Sequence, residues 1–243
     1  QDGNNPGHFN PFSAEKSGYG HVVNGVFESV YPPGSDMYGF HADAHERFRV
    51  FIASDRFPCI FGKAAVRFDQ YSFSAYDDIT DPAVAQGILH DLVEFQREFE
   101  VPAKPRGEKG IFRSSLVAFR NPQITDERQG AEVLYRLLQG MHEINREHYP
   151  WVEGFSSELE SPDFGFSAGE SAHFIAYFHP AATIPARQFD VQFIVFNSHH
   201  VVNAYKRQAG MEAHSRAVRV IRDRQEQPVH PYLATHGQGL EFR

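Results

Sequence analysis

His179 stands directly before Pro180 at the end of an apolar alternating run that begins at Ser171. A two-residue period puts Phe174, Ala176 and Phe178 on one face, expected to be the core face, and His173, Ile175, Tyr177 and His179 on the other. Proline biases the residue before it towards extended dihedrals and withdraws a ladder donor. His179 is therefore expected at a stiff strand end that opens onto a loop. An imidazole in such a place suits a metal ligand, and it equally suits an edge histidine hydrogen-bonded to backbone. At a rise of ~3.3 Å per residue, His173 falls about 20 Å from His179, too far for both to bind one metal ion, while Tyr177 falls about 7 Å away.

Other residues compete for chemical roles. Cys59, in Phe57-Pro58-Cys59-Ile60-Phe61-Gly62, is the only cysteine. A thiolate in a turn can ligate a metal, whereas a buried thiol more often behaves as a small inert hydrophobe. His41 and His45 lie four residues apart, on one face of an expected helix. That spacing can hold zinc or iron, yet the H-E-x-x-H pattern and an evident third ligand are missing, so a His-ligated metallohydrolase is only a rival reading. Glu170 and His173 have the E-x-x-H spacing of di-iron bundles, but they fall in an expected hairpin, where they would not converge. The chain has no Walker loop or dinucleotide glycine fingerprint, which removes the commonest nucleotide and dinucleotide functions.

The elements that would position these residues follow from periodicity. A helix is expected over 42–54, where Ala44, Phe48, Phe51 and Ile52 share a stripe, and a strand over 64–76. Asp81-Pro82 gives a helix start, followed by Ala85, Ile88, Leu92, Phe95 and Phe99 at helical spacing. After the proline-rich break at 101–107, a strand is expected over 111–119. Thr125 then opens a long helix carrying Val133, Leu137 and Met141. A hairpin over 163–179, a strand over 191–196 and helical sequence over 201–224 complete the order. The hairpin implies antiparallel pairing, so the expected fold is a single α+β domain with a mixed, largely antiparallel sheet and flanking helices. Residues 1–35, rich in Gly, Asn and Pro, are expected to form an irregular arm over a domain spanning 36–243.

Composition bounds the function. A formal charge of −8 argues against a nucleic-acid footprint, which needs clustered excess Lys and Arg. A single cysteine allows no intrachain disulfide, no apolar run approaches the ~20 residues of a membrane span, and the first residues contain no apolar signal core. The cytoplasm is the expected location.

The strand ending in His179-Pro180, the run Pro185-Ala186-Arg187-Gln188-Phe189, and Val195-Phe196-Asn197 resemble the YqcI/YcgG family. Phe57-Pro58-Cys59 with Lys63-Ala64-Ala65, and Ile221-Arg222-Asp223-Arg224, extend the likeness over about 42–243. The sequence departs from the family pattern at His230-Pro231, where Asn-Pro is usual, and at Thr235-His236-Gly237-Gln238, where Asp-Phe-Gly-Glu is usual. These departures bear on substrate identity more than on cofactor binding. Known members include haem-dependent N-hydroxylases of arginine and related guanidines.

The resemblance implies a haem b cofactor and insertion of one oxygen atom from O2 into an N–H bond of a guanidine or amine, L-arginine or a derivative foremost. It favours His179 over Cys59 as iron ligand, because the His-Pro lies where the likeness is strongest. Tyr177 would then touch the macrocycle edge or its ligand, and Arg187 would meet a propionate, although it could equally pair with one of 31 acidic side chains. The 23 phenylalanines could line a porphyrin, and would equally fill an ordinary sheet core. Glu241 matches an acidic position of the family tail and is the first choice for the substrate guanidinium, ahead of Glu170 and Asp163. With no cofactor motif for its own electron supply, the chain would draw on a ferredoxin or flavin reductase. Arg216, Arg219 and Arg222 offer a docking face for such a donor, or simply a solvated one. A non-catalytic haem sensor or carrier is the rival that shares the haem site.

Overall fold

Asn24 and Gly25 both adopt positive φ, 52° and 78°, the left-handed pair that a two-residue hairpin turn of matching twist requires. They join β1 (Gly20–Val23) to β2 (Val26–Ser29), so part of the segment expected to be irregular is the edge of the sheet. The computed structural model describes residues 9–100 and 112–203, together with Glu212, Ala213, Arg216 and Val220.

Ser35 caps α1 (Asp36–Ala53) by accepting a hydrogen bond from the Tyr38 N–H, which starts the helix six residues earlier than its apolar stripe alone indicates. Cys59 caps α2 (Ile60–Arg67) in the same way. The strand expected over 64–76 is thus divided: Lys63-Ala64-Ala65 are strong helix formers and complete α2, and β3 (Tyr71–Asp78) begins only after Asp69 turns at φ 52°. Asp81 caps α3 (Pro82–Phe95), and a π-helical turn over Gln96–Glu100 follows. Next come β4 (Ser114–Asn121), α4 (Glu127–Asn145, capped by Asp126), β5 (Phe166–Ala168), β6 (Ser171–Phe178), a 3-10 turn at Pro185–Arg187, and β7 (Gln192–Ser198).

The strands form one seven-stranded sheet in the order β2-β1-β3-β4-β7-β6-β5. Only the β3–β4 pair is parallel, as a crossover through α3 demands; every other pair is antiparallel. The expected mixed, largely antiparallel α+β architecture is what the chain adopts. Both faces of the sheet are covered. Val117, Phe119, Tyr177, Ile194 and Phe196 pack towards α3 and α4. Leu116, Ala118, Phe178 and Phe193 pack towards α1. β3, β4, β6 and β7 therefore feed both cores with alternate residues, and Ile175, Tyr177 and the buried His173 lie on the α3–α4 side of β6 rather than outside the protein core.

Candidate functional site: an apolar cavity under α1 and α2

The sheet face beneath α1 and α2 is not filled by side chains. A cavity of about 1290 Å³, counting the space open at its mouth, lies there. Phe174, Ala176 and Phe178 of β6 and Phe193 and Val195 of β7 form the floor. Phe48 and Ile52 of α1 and Phe57 close one side, and Phe61 and Ala65 of α2 face them. The Phe178 and Phe193 rings stack face to face at 4.4 Å and 8°.

Cys59, Tyr71, Arg113 and Arg187 are among the polar groups that line this space. Cys59 Sγ accepts a hydrogen bond from the Gly62 N–H at 3.5 Å, in the first turn of α2. Burial pushes the thiol pKa up, opposed by the Gly62 and Phe61 N–H groups and by the Arg187 guanidinium. Gly62 has little freedom to be anything else, since a Cβ there would lie 2.9 Å from the Phe57 ring. Arg187, presented by the 3-10 turn, lies 5.6 Å from the centre of the Phe178 ring and is only partly exposed. Its guanidinium has no hydrogen bond or ion pair among the described residues. Burial pulls its pKa down, while Glu127 and Cys59 act in the opposite sense. A desolvated cation without a partner is costly, and an anion at the cavity edge would offset that cost.

His179 is placed elsewhere. Being of opposite parity to the floor residues, it turns to the other side of the sheet, 3% exposed, where its Nε2 lies 3.4 Å from Glu127 Oε2 and closely faces Gly130 of α4. Its Nδ1 has no hydrogen-bond partner among the described residues. Burial lowers the His179 pKa, the Glu127 carboxylate opposes this, and Arg187 adds to it. The expected strand-end location is correct, but the loop it opens onto folds back: the His179 N–H donates to Arg187 O and its carbonyl accepts from Ala182 and Phe189. Tyr177, whose ring lies 4.9 Å from that of His179, donates its hydroxyl to Gln192 and also faces away from the cavity. Of the three residues that the resemblance assigned to the cofactor, only Arg187 lines the cavity.

The remaining candidates disperse. His41 Nε2–H donates to Phe73 O and its Nδ1 accepts from Ser29, while His45 Nε2 accepts from the Tyr71 hydroxyl at 2.8 Å. Burial lowers their pKa values to about 4 and about 3, so both are neutral packing groups and do not form a paired metal site. Among the described residues no group of three or more His, Cys, Asp or Glu side chains could hold a metal ion. Glu170 and Asp163 are exposed at the far edge of the sheet, and no carboxylate lines the cavity among the described residues. Glu241, Arg219 and Arg222 lie outside the described residues, and Arg216 pairs with Glu212 at 2.6 Å. No described helix is long and apolar enough to cross a membrane.

The Phe178 and Phe193 rings, the Cys59 thiol and the Arg187 guanidinium are the groups of this cavity that could meet a flat aromatic cofactor, its metal and an acidic side group. Fold and site together define a mixed-sheet α+β domain built around one large aromatic cavity. The model of the YqcI/YcgG family matches residues 48–243, and the chain belongs to that family. No curated protein and no solved structure matches the chain significantly.

Proposed function

We propose that this protein is a haem-dependent N-oxygenase of a guanidine or amine, L-arginine or a derivative foremost. The observation that carries the reading is the cavity, whose aromatic floor and unpaired Arg187 match an apolar plane with acidic side groups. Haem, when bound, would supply the iron at which O2 is reduced and one oxygen atom passes to a substrate nitrogen. The phenylalanine walls exclude water, which limits wasteful release of reduced oxygen. Arg187 would fix orientation through charge-assisted hydrogen bonds to a propionate.

A guanidinium substrate needs a carboxylate partner, a role for which the family resemblance nominates Glu241. Electrons would come from a ferredoxin or flavin reductase, with Arg216 on a possible docking surface, and the cytoplasm is the proposed setting. The test is turnover: purified protein loaded with haem, O2 and a reductase chain should convert arginine or a related compound to an N-hydroxylated product detected by mass spectrometry. Haem uptake with no product from any guanidine or amine would instead support a non-catalytic haem sensor or carrier.

A further inference from the structure

The chain carries a formal charge of −8 and 31 acidic side chains, yet among the described residues no Asp or Glu lines the cavity, while Arg113 and Arg187 do. An apolar space with cations and no anions on its walls is complementary to an apolar anion. Strand register shows where the charged end of such a ligand belongs. Tyr71 of β3 pairs with Ser114 of β4, and Phe174 of β6 pairs with Asn197 of β7. Ser114 and Asn197 stand opposite each other, one step beyond the Ser115–Phe196 pair. Tyr71, Ser114 and Asn197 thus form a polar row at one end of the cavity, with Arg113 beside it. The Tyr71 hydroxyl is already committed to His45 Nε2 at 2.8 Å. The half-buried Asn197 has unused donors: its Oδ1 accepts from Ser114 Oγ at 2.9 Å, which fixes the carboxamide and leaves Nδ2 without a hydrogen-bond partner among the described residues. From this row the floor runs through Val195 and Ala176 to Phe193 and Phe178, about 13 Å of apolar surface. At that far end Arg187 is already attracted by Glu127, so the Asn197 end is the better place for a carboxylate.

We infer that the cavity binds a free long-chain carboxylic acid, its carboxylate received by Asn197 Nδ2 and the Arg113 guanidinium and its chain lying over Val195, Ala176 and Phe193. The inference goes beyond the haem reading and does not depend on it. Chain and macrocycle would need the same floor, so the acid would exclude haem rather than accompany it. Arg113 supplies charge-assisted hydrogen bonds, and Ser114 is a positioning residue that keeps the Asn197 donors turned to the ligand. Chain length follows from the floor: each methylene laid on it tightens binding about fourfold until the apolar surface is covered.

The test is isothermal titration of the full chain, free of haem, with hexanoate, octanoate, decanoate and decanol at neutral pH. Affinity should rise about fourfold per methylene along the acid series. Decanol should bind about 10- to 150-fold more weakly than decanoate, the worth of a hydrogen bond to a charged group. Asn197→Leu and Arg113→Met should each shrink that preference while leaving decanol affinity unchanged, and Arg113→Met decides the matter should Asn197→Leu fail to fold. Equal affinity of the wild type for decanoate and decanol, a preference untouched by the substitutions, or no decanoate binding would overturn the inference. Haemin uptake beside any of those results would leave the haem reading standing, and decanoate binding without haemin uptake would remove the haem reading alone.

Discussion

Replacing Arg187 with Met separates a binding role from a structural one. Arg187 is partly buried over Phe178, has no hydrogen-bond partner among the described residues, and faces an apolar wall. A methionine keeps much of the aliphatic stem and its contact with the ring while removing the uncompensated charge. Exchanging poorly compensated buried charge for apolar volume stabilises proteins by about 1–4 kcal/mol. The lower part of that range applies because some solvent reaches the guanidinium, so about 1–2 kcal/mol is expected. For a protein of this size each kcal/mol moves Tm by about 2–4 °C, which gives a rise of roughly 2–8 °C for the ligand-free protein in a thermal melt. Haem affinity should move the other way. A hydrogen bond to a charged group contributes about 1.5–3 kcal/mol, so loss of the propionate contact should weaken haem binding by roughly 10- to 150-fold. Arg187→Lys should fall between the two, because it keeps the charge without the forked geometry. A less stable Arg187→Met protein with unchanged haem affinity would refute the reasoning, since it would make Arg187 a structural side chain.

Lowering the pH should destabilise the fold through His41 and His45. Their folded pKa values, about 4 and about 3, lie below the usual 6.5, so the unfolded chain binds more protons between those limits and stability falls as pH drops below about 6.5. By pH 5 each should cost about 2 kcal/mol in urea unfolding, and His41→Gln should flatten the slope; a pH-independent midpoint in the wild type would contradict this. Gly87→Ala improves helix propensity yet should lower Tm, because the new Cβ would lie 2.1 Å from the Lys16 carbonyl oxygen; an unchanged or raised Tm would show that the 13–17 segment moves freely. Arg216→Glu should slow reduction by an acidic electron donor in a salt-dependent manner with haem content unchanged, as rim charges act on encounter rates. Stopped-flow reduction at two ionic strengths checks it, and an identical rate would discard that docking surface.

Much of the architecture can be read from the sequence because caps and periods are local. Asp81-Pro82, the stripe from Ala44 to Ile52 and the hairpin before Pro180 each specify their element without help from the rest of the chain. Two local signals were strong enough to correct the reading but pointed the other way from composition. Asn24-Gly25 marks a hairpin inside a Gly- and Pro-rich stretch, and Lys63-Ala64-Ala65 marks a helix beside a strand. The second hides the chemistry, since only a helix beginning at Ile60 makes Cys59 a cap and turns its sulfur towards the cavity. Alternation along β6 correctly opposes His179 to Phe174, Ala176 and Phe178, but it cannot say which face of a doubly covered sheet is left unfilled. That depends on how α1 and α2 stand off from β6 and β7, a long-range packing outcome that no single segment encodes.

The central claim is that the cavity beneath α1 and α2 holds one haem, and a haemin titration of the wild type beside Ala176→Trp tests it most directly. Ala176 lies in the cavity floor, so an indole there would occupy the macrocycle's space while leaving the packing of α3 and α4 untouched. The account predicts saturable binding of one haem per chain in the wild type, and loss of that binding in an Ala176→Trp protein whose circular dichroism is unchanged. Absence of saturable uptake by the wild type, or equal uptake by a folded Ala176→Trp variant, would contradict it.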